Sequence, residues 1–110
     1  MAETLLSPEA RADLIAQSDY FDHELGNPAL AVRFEACAEA TFKKLARTPG
    51  LGRPRSLGGY SRLQKLRSWK VDGFPRHLIF YRELPDKGDV EVVRILHGAR
   101  NLEKLFSAIR

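Results

Sequence analysis

Three apolar runs set close together limit what this chain can fold into: Leu66 to Val71, Leu78 to Tyr81, and Val90 to Leu96. They are separated by Asp72-Gly73-Phe74-Pro75 and Pro85-Asp86-Lys87-Gly88, and each separator puts glycine with proline or aspartate where a chain reverses. Two successive hairpins joining three antiparallel strands account for the pattern. Such a meander has one face to bury and two edges to manage. In the middle run Leu78 and Phe80 alternate with Ile79 and Tyr81, so both faces are apolar. That strand belongs at the centre, covered at least in part on both sides.

The preceding residues supply the cover. Glu3 to Leu6 reads as a short strand stopped by Ser7-Pro8-Glu9, where serine caps a helix, proline suits its first position and glutamate complements the dipole. A helix therefore starts at Pro8, with Ala10, Leu14, Phe21 and Leu25 on one stripe and Asp13, Asp19 and Asp22 pointing elsewhere. Gly26 ends it. Asn27-Pro28 repeats the cap-then-proline signal and opens a second helix carrying Ala31, Phe34, Ala38, Phe42 and Leu45. The two helices form an antiparallel hairpin.

Thr48-Pro49-Gly50 stops the second helix, and Leu51 to Ser61, with Gly52, Arg53, Pro54, Arg55, Gly58 and Gly59, reads as an exposed loop whose arginines are free to meet a partner. After the third strand Asn101 can cap a short last helix bearing Leu102, Leu105, Phe106 and Ile109. The expected fold class is α+β: an N-terminal strand, a two-helix hairpin, a three-stranded antiparallel meander and a C-terminal helix. At 110 residues this is a single domain spanning 1–110.

One cysteine excludes an intramolecular disulfide and gives no metal cluster, and Cys37, beside the second helix's stripe, reads as a small buried hydrophobe. The first residues, Met1-Ala-Glu-Thr, lack the basic start and apolar core expected of a signal peptide, and no apolar run approaches the roughly 20 residues of a membrane helix. A cytoplasmic protein without membrane contact, cofactor or metal is expected.

Net charge of +4 hides an asymmetry. Residues 1–42 carry 2 basic and 8 acidic side chains, whereas residues 43–82 carry 11 basic and 1 acidic. A cationic excess confined to forty residues around a sheet points to a polyanionic or acidic partner. Arg94, between Val92 and Leu96, costs desolvation unless it pairs within the fold or reaches the rim. Tyr81 and Trp69 read as core filling with polar tips reaching water.

The order of elements, together with Leu6-Ser7-Pro8-Glu9-Ala10-Arg11-Ala12-Asp13-Leu14, Pro75-Arg76-His77-Leu78-Ile79-Phe80-Tyr81-Arg82 and Val93-Arg94-Ile95-Leu96-His97-Gly98-Ala99-Arg100, resembles the RelE/ParE superfamily of toxins from type II toxin-antitoxin pairs. The last segment looks especially like the ParE branch. The resemblance implies a compact toxin neutralised by a cognate, ParD-like antitoxin in a hetero-oligomer. One branch cuts messenger RNA on the ribosome, and the ParE branch is associated with poisoning DNA gyrase.

Cutting RNA needs a base, a proton donor and cations for the phosphate. Where the ribonuclease branch has an arginine and a terminal-helix tyrosine, this sequence has Leu78 and Phe106, which hold no phosphate and exchange no proton. A ribonuclease would have to rely on His97, Arg100 and Arg76. The substitutions favour binding without chemistry, in which Arg53, Arg55, Arg62, Arg67, Lys70, Arg76, Arg94 and Arg100 dock on gyrase or its DNA. A basic regulatory module that binds nucleic acid without toxicity is a third reading, but the basic residues lie on loop and strands rather than on one recognition helix.

Overall fold

The computed structural model describes residues 3–55, 65–84 and 88–98. Strand β1 (Thr4–Leu6) leads into helix α1 (Pro8–Asp19), which widens into a π-helical turn, Tyr20–Glu24. Helix α2 (Pro28–Arg47) and a single 3-10 turn, Pro49–Leu51, follow. Strands β2 (Arg53–Arg55), β3 (Leu66–Val71), β4 (Phe74–Leu84) and β5 (Asp89–His97) complete a five-stranded sheet in the order β1-β5-β4-β3-β2.

The meander is β3-β4-β5, antiparallel throughout, with β4 at its centre. Ile79, Phe80 and Tyr81 are fully buried, as a strand apolar on both sides requires. The first reversal is tighter than the sequence implied: Asp72 and Gly73 alone make the turn, with Gly73 at φ 90, while Phe74 and Pro75 already belong to β4. The second separator, apart from Gly88 at φ 69, and the expected C-terminal helix lie outside the described residues.

Both helix starts are built as their caps predict. Ser7 Oγ accepts from the Ala10 amide at 3.0 Å and Asn27 Oδ1 from the Leu30 amide at 3.0 Å, each ahead of a proline at the first position. Ala31, Phe34, Ala38, Phe42 and Leu45 of α2 are all buried against the sheet, and Cys37 packs beside them. The stripe on α1 is only partly realised, because Leu25 is exposed. Phe21 sits inside the π turn, which adds a residue to the helical repeat and rotates everything after it, so Leu25 swings away from the core.

The segment expected to be an exposed loop is in part a strand. β2 pairs antiparallel with β3 along the sheet edge, and β1 closes the opposite edge by pairing parallel with β5. Side-chain hydrogen bonds help hold β2 there. The buried Tyr81 hydroxyl donates to Pro49 O at 2.8 Å and accepts from the Gly52 amide at 2.7 Å, and Arg55 Nε donates to Ser68 Oγ at 2.8 Å. The Tyr81 tip therefore grips backbone rather than reaching water, and burial raises its pKa above the usual phenol value.

Gly52 is required by that grip. A Cβ at Gly52 would stand 2.4 Å from Tyr81 Oη and 2.9 Å from Ser68 O, and neither a buried ring nor a backbone carbonyl can retreat. Gly52→Ala is expected to destabilise the fold by about 1–3 kcal/mol in urea unfolding, as overpacking does, whereas Gly50→Ala, with open space around it, should change stability by less than about 0.5 kcal/mol.

Candidate functional site

The ladder places the cations. Cross-strand partners share a face, and Arg53 pairs with Ser68, Arg55 with Leu66, and Lys70 with Leu78. Alternation along β4 puts Arg76 on the same side as Leu78. Arg53, Arg55, Lys70 and Arg76 therefore project from the sheet face turned away from the helix hairpin. Arg55 lies 6.0 Å from the Phe80 ring centroid, and none of these four forms a salt bridge among the described residues, although Lys70 is near enough to Asp72 to help lower its pKa. At the β2 end a groove of about 600 Å³ is lined by Pro54, Arg55, Lys65, Leu66, Arg67 and Glu83.

The other expected contact residues are placed differently. Arg67 shares the helix-side face with Tyr81 and Trp69, and its Nη1 donates to Gly52 O at 2.8 Å, another tie on the β2 strand. Arg94 is committed inside the fold: Nε donates to Asp13 Oδ2 at 2.7 Å and Nη2 to Asp13 Oδ1 at 3.0 Å. That pair raises the Arg94 pKa, and the geometry removes Arg94 from the set free to meet a target. Arg62 and Arg100 lie outside the described residues. Arg82, on the same sheet face as Arg76 but paired with Glu91 at 2.8 Å, is likewise occupied.

Of the groups a ribonuclease would use, His97 and Arg76 stand on opposite faces of the sheet, and Arg100 lies outside the described residues. His97 stands directly opposite His77 across β4 and β5, with ring centroids 4.8 Å apart, on the helix side of the sheet. Arg76, one residue from His77, projects to the other side. His77 is 5% exposed, ringed by Phe21, Phe34 and Phe74, and neither ring nitrogen has a hydrogen-bond partner among the described residues. Burial first, and the neighbouring His97 second, lower its pKa to about 4, so it is neutral and enclosed at pH 7. Among the described residues no three side chains converge as metal ligands, and no described helix is long and apolar enough to cross a membrane.

A family model described as the ParE toxin of type II toxin-antitoxin system, parDE, matches residues 5–102. The chain belongs to the ParE toxin family. Its fold agrees with a solved chain from the chromosomal ParDE toxin-antitoxin system of P. aeruginosa, at a TM-score of 0.68 and 19% identity, covering 90% of this chain and 97% of that one. A comparison with curated proteins finds no match. This ParE-family toxin carries Arg53, Arg55, Lys70 and Arg76 together on one sheet face, a grouping that charge counts along the sequence bring into view only when combined with strand register.

Proposed function

We propose that this toxin acts by binding DNA gyrase or the gyrase-DNA complex without chemistry of its own, in the cytoplasm, and that a cognate ParD-like antitoxin neutralises it in a hetero-oligomer. The observation that carries the reading is the sheet face on which Arg53, Arg55, Lys70 and Arg76 stand together with no salt bridge among the described residues. Guanidinium and ammonium groups so arranged suit an acidic protein surface or a phosphate backbone, and their fields speed encounter with such a target. The antitoxin would cover apolar surface on the hairpin and bring acidic groups to the sheet face.

The toxin expressed without antitoxin is expected to inhibit supercoiling by purified gyrase and to provoke DNA damage signalling. Replacing Arg53 and Arg76 by glutamate should weaken that inhibition about tenfold or more, since each reversal puts like charges together in the complex. Ribosome-dependent cleavage of messenger RNA with supercoiling untouched would overturn the reading.

A further inference from the structure

The histidine pair at the end of the β4-β5 ladder has no part in gyrase binding as read above. His77 and His97 stand directly opposite each other, with ring centroids 4.8 Å apart and ring planes inclined at 57°. The backbone beneath them is fixed, because just beyond the pair the Gly98 amide donates to Arg76 O at 2.7 Å. Both rings border a cavity of about 510 Å³, whose far wall includes Asp13 and Gln17 of α1 and Tyr20 of the π turn. His97 is exposed, so solutes reach the pair from water.

His77 is the unusual member. It lines this cavity at 5% exposure, and neither of its ring nitrogens has a hydrogen-bond partner among the described residues, so a desolvated polar group is left unanswered. The character of the walls decides what could answer it. No lysine or arginine lines the cavity, His77 is neutral at pH 7, and Asp13 contributes a carboxylate, so an anion finds nothing to hold it. A borderline divalent cation needs the opposite: neutral imidazole lone pairs, which suit zinc, nickel and copper.

The spacing agrees. Two imidazoles that each bond one tetrahedral zinc at about 2.0–2.1 Å leave their ring centroids about 5 Å apart. Asp13 does not complete the set, since its oxygens already accept from Arg94 and from the Ile95 amide. No third protein ligand converges among the described residues.

We propose that His77 and His97 form a two-histidine site for a zinc-class divalent cation, with water in the remaining positions. Bound there, the cation ties β4 to β5 at the end of their ladder and stabilises the fold. The inference does not depend on what the toxin targets.

Zinc chloride titrated calorimetrically into the untagged chain at pH 7 is expected to bind at one site in the micromolar range. Magnesium chloride, a hard cation that prefers oxygen, should not bind. His97→Ala, at an exposed position, and His77→Phe, which keeps a ring in the aromatic cage, should each weaken zinc by about tenfold or more, at least what losing a supporting group costs a metal site. The remaining histidine and the cysteine lie elsewhere, His23 beside Asp22 and Cys37 facing Gly73, so His23→Ala with Cys37→Ala should keep the wild-type affinity. Zinc should raise the melting temperature of the wild type and leave that of His97→Ala unmoved. In NMR spectra the imidazole nitrogens of His77 and His97 should shift together on adding zinc, while those of His23 stay in place.

The inference is overturned if zinc does not bind, if either histidine variant binds it as tightly as the wild type, or if the His23 and Cys37 control loses it. A shift confined to one of the two imidazoles, or magnesium binding as tightly as zinc, overturns it as well.

Discussion

Asp13→Ala is expected to cost the folded state about 3–5 kcal/mol in urea unfolding, the loss that follows when one partner of a partly buried ion pair is removed. Asp13 accepts two hydrogen bonds from Arg94 and a third, at 2.9 Å, from the Ile95 amide. The two side chains are only 16% and 19% exposed, so water can replace little of what is lost. The Ile95 bond explains the site. β1 pairs with β5 only along Val90 to Val92, and where β1 ends the β5 edge would present a bare amide. The α1 carboxylate caps it. Replacing Asp13 and Arg94 together by leucine and methionine should therefore cost only about 1–2 kcal/mol, chiefly the orphaned amide, because no unpaired charge is left behind. A double variant as unstable as Asp13→Ala would show that the charge plays no part.

The sequence reveals this fold where a local rule governs and conceals it where a distant contact does. Alternation around Ile79 and Phe80 identifies the central strand, and Ser7-Pro8 and Asn27-Pro28 identify both helix starts, because strand pleat and capping act over a few residues. Arg53-Pro54-Arg55 has no apolar alternation, and it becomes a strand through its pairing with β3 and through Tyr81, Arg67 and Ser68, which hold it and the residues just before it from the neighbouring sheet. Leu25 reads as core until the π turn rotates it outward. Arg94 looks like a candidate contact because its partner lies 81 residues away. At the candidate site the basic excess is legible, but its division between two faces is not, since that follows from register.

His77 carries the second large effect, and its sign follows from its surroundings. In the unfolded chain an imidazole titrates near 6.5, and in the fold that value drops to about 4. Above pH 6.5 the ring is neutral in both states and its titration costs nothing. Between pH 6.5 and 4 the unfolded state takes up a proton that the folded state refuses, and stability falls by about 3 kcal/mol. Below pH 4 the loss is complete. His77→Phe keeps a ring among Phe21, Phe34 and Phe74 but has no proton to bind and no buried nitrogen to leave unpaired. The carboxylates titrate alike in both proteins, so the difference in unfolding free energy between variant and wild type isolates this group. That difference is expected to grow steadily from pH 7 to pH 4 in favour of the variant, reaching about 3 kcal/mol beyond its value at neutrality. A difference that stays flat with pH would mean that the ring is protonated as readily inside the fold as outside it, and that its cage of aromatic rings opens to admit water.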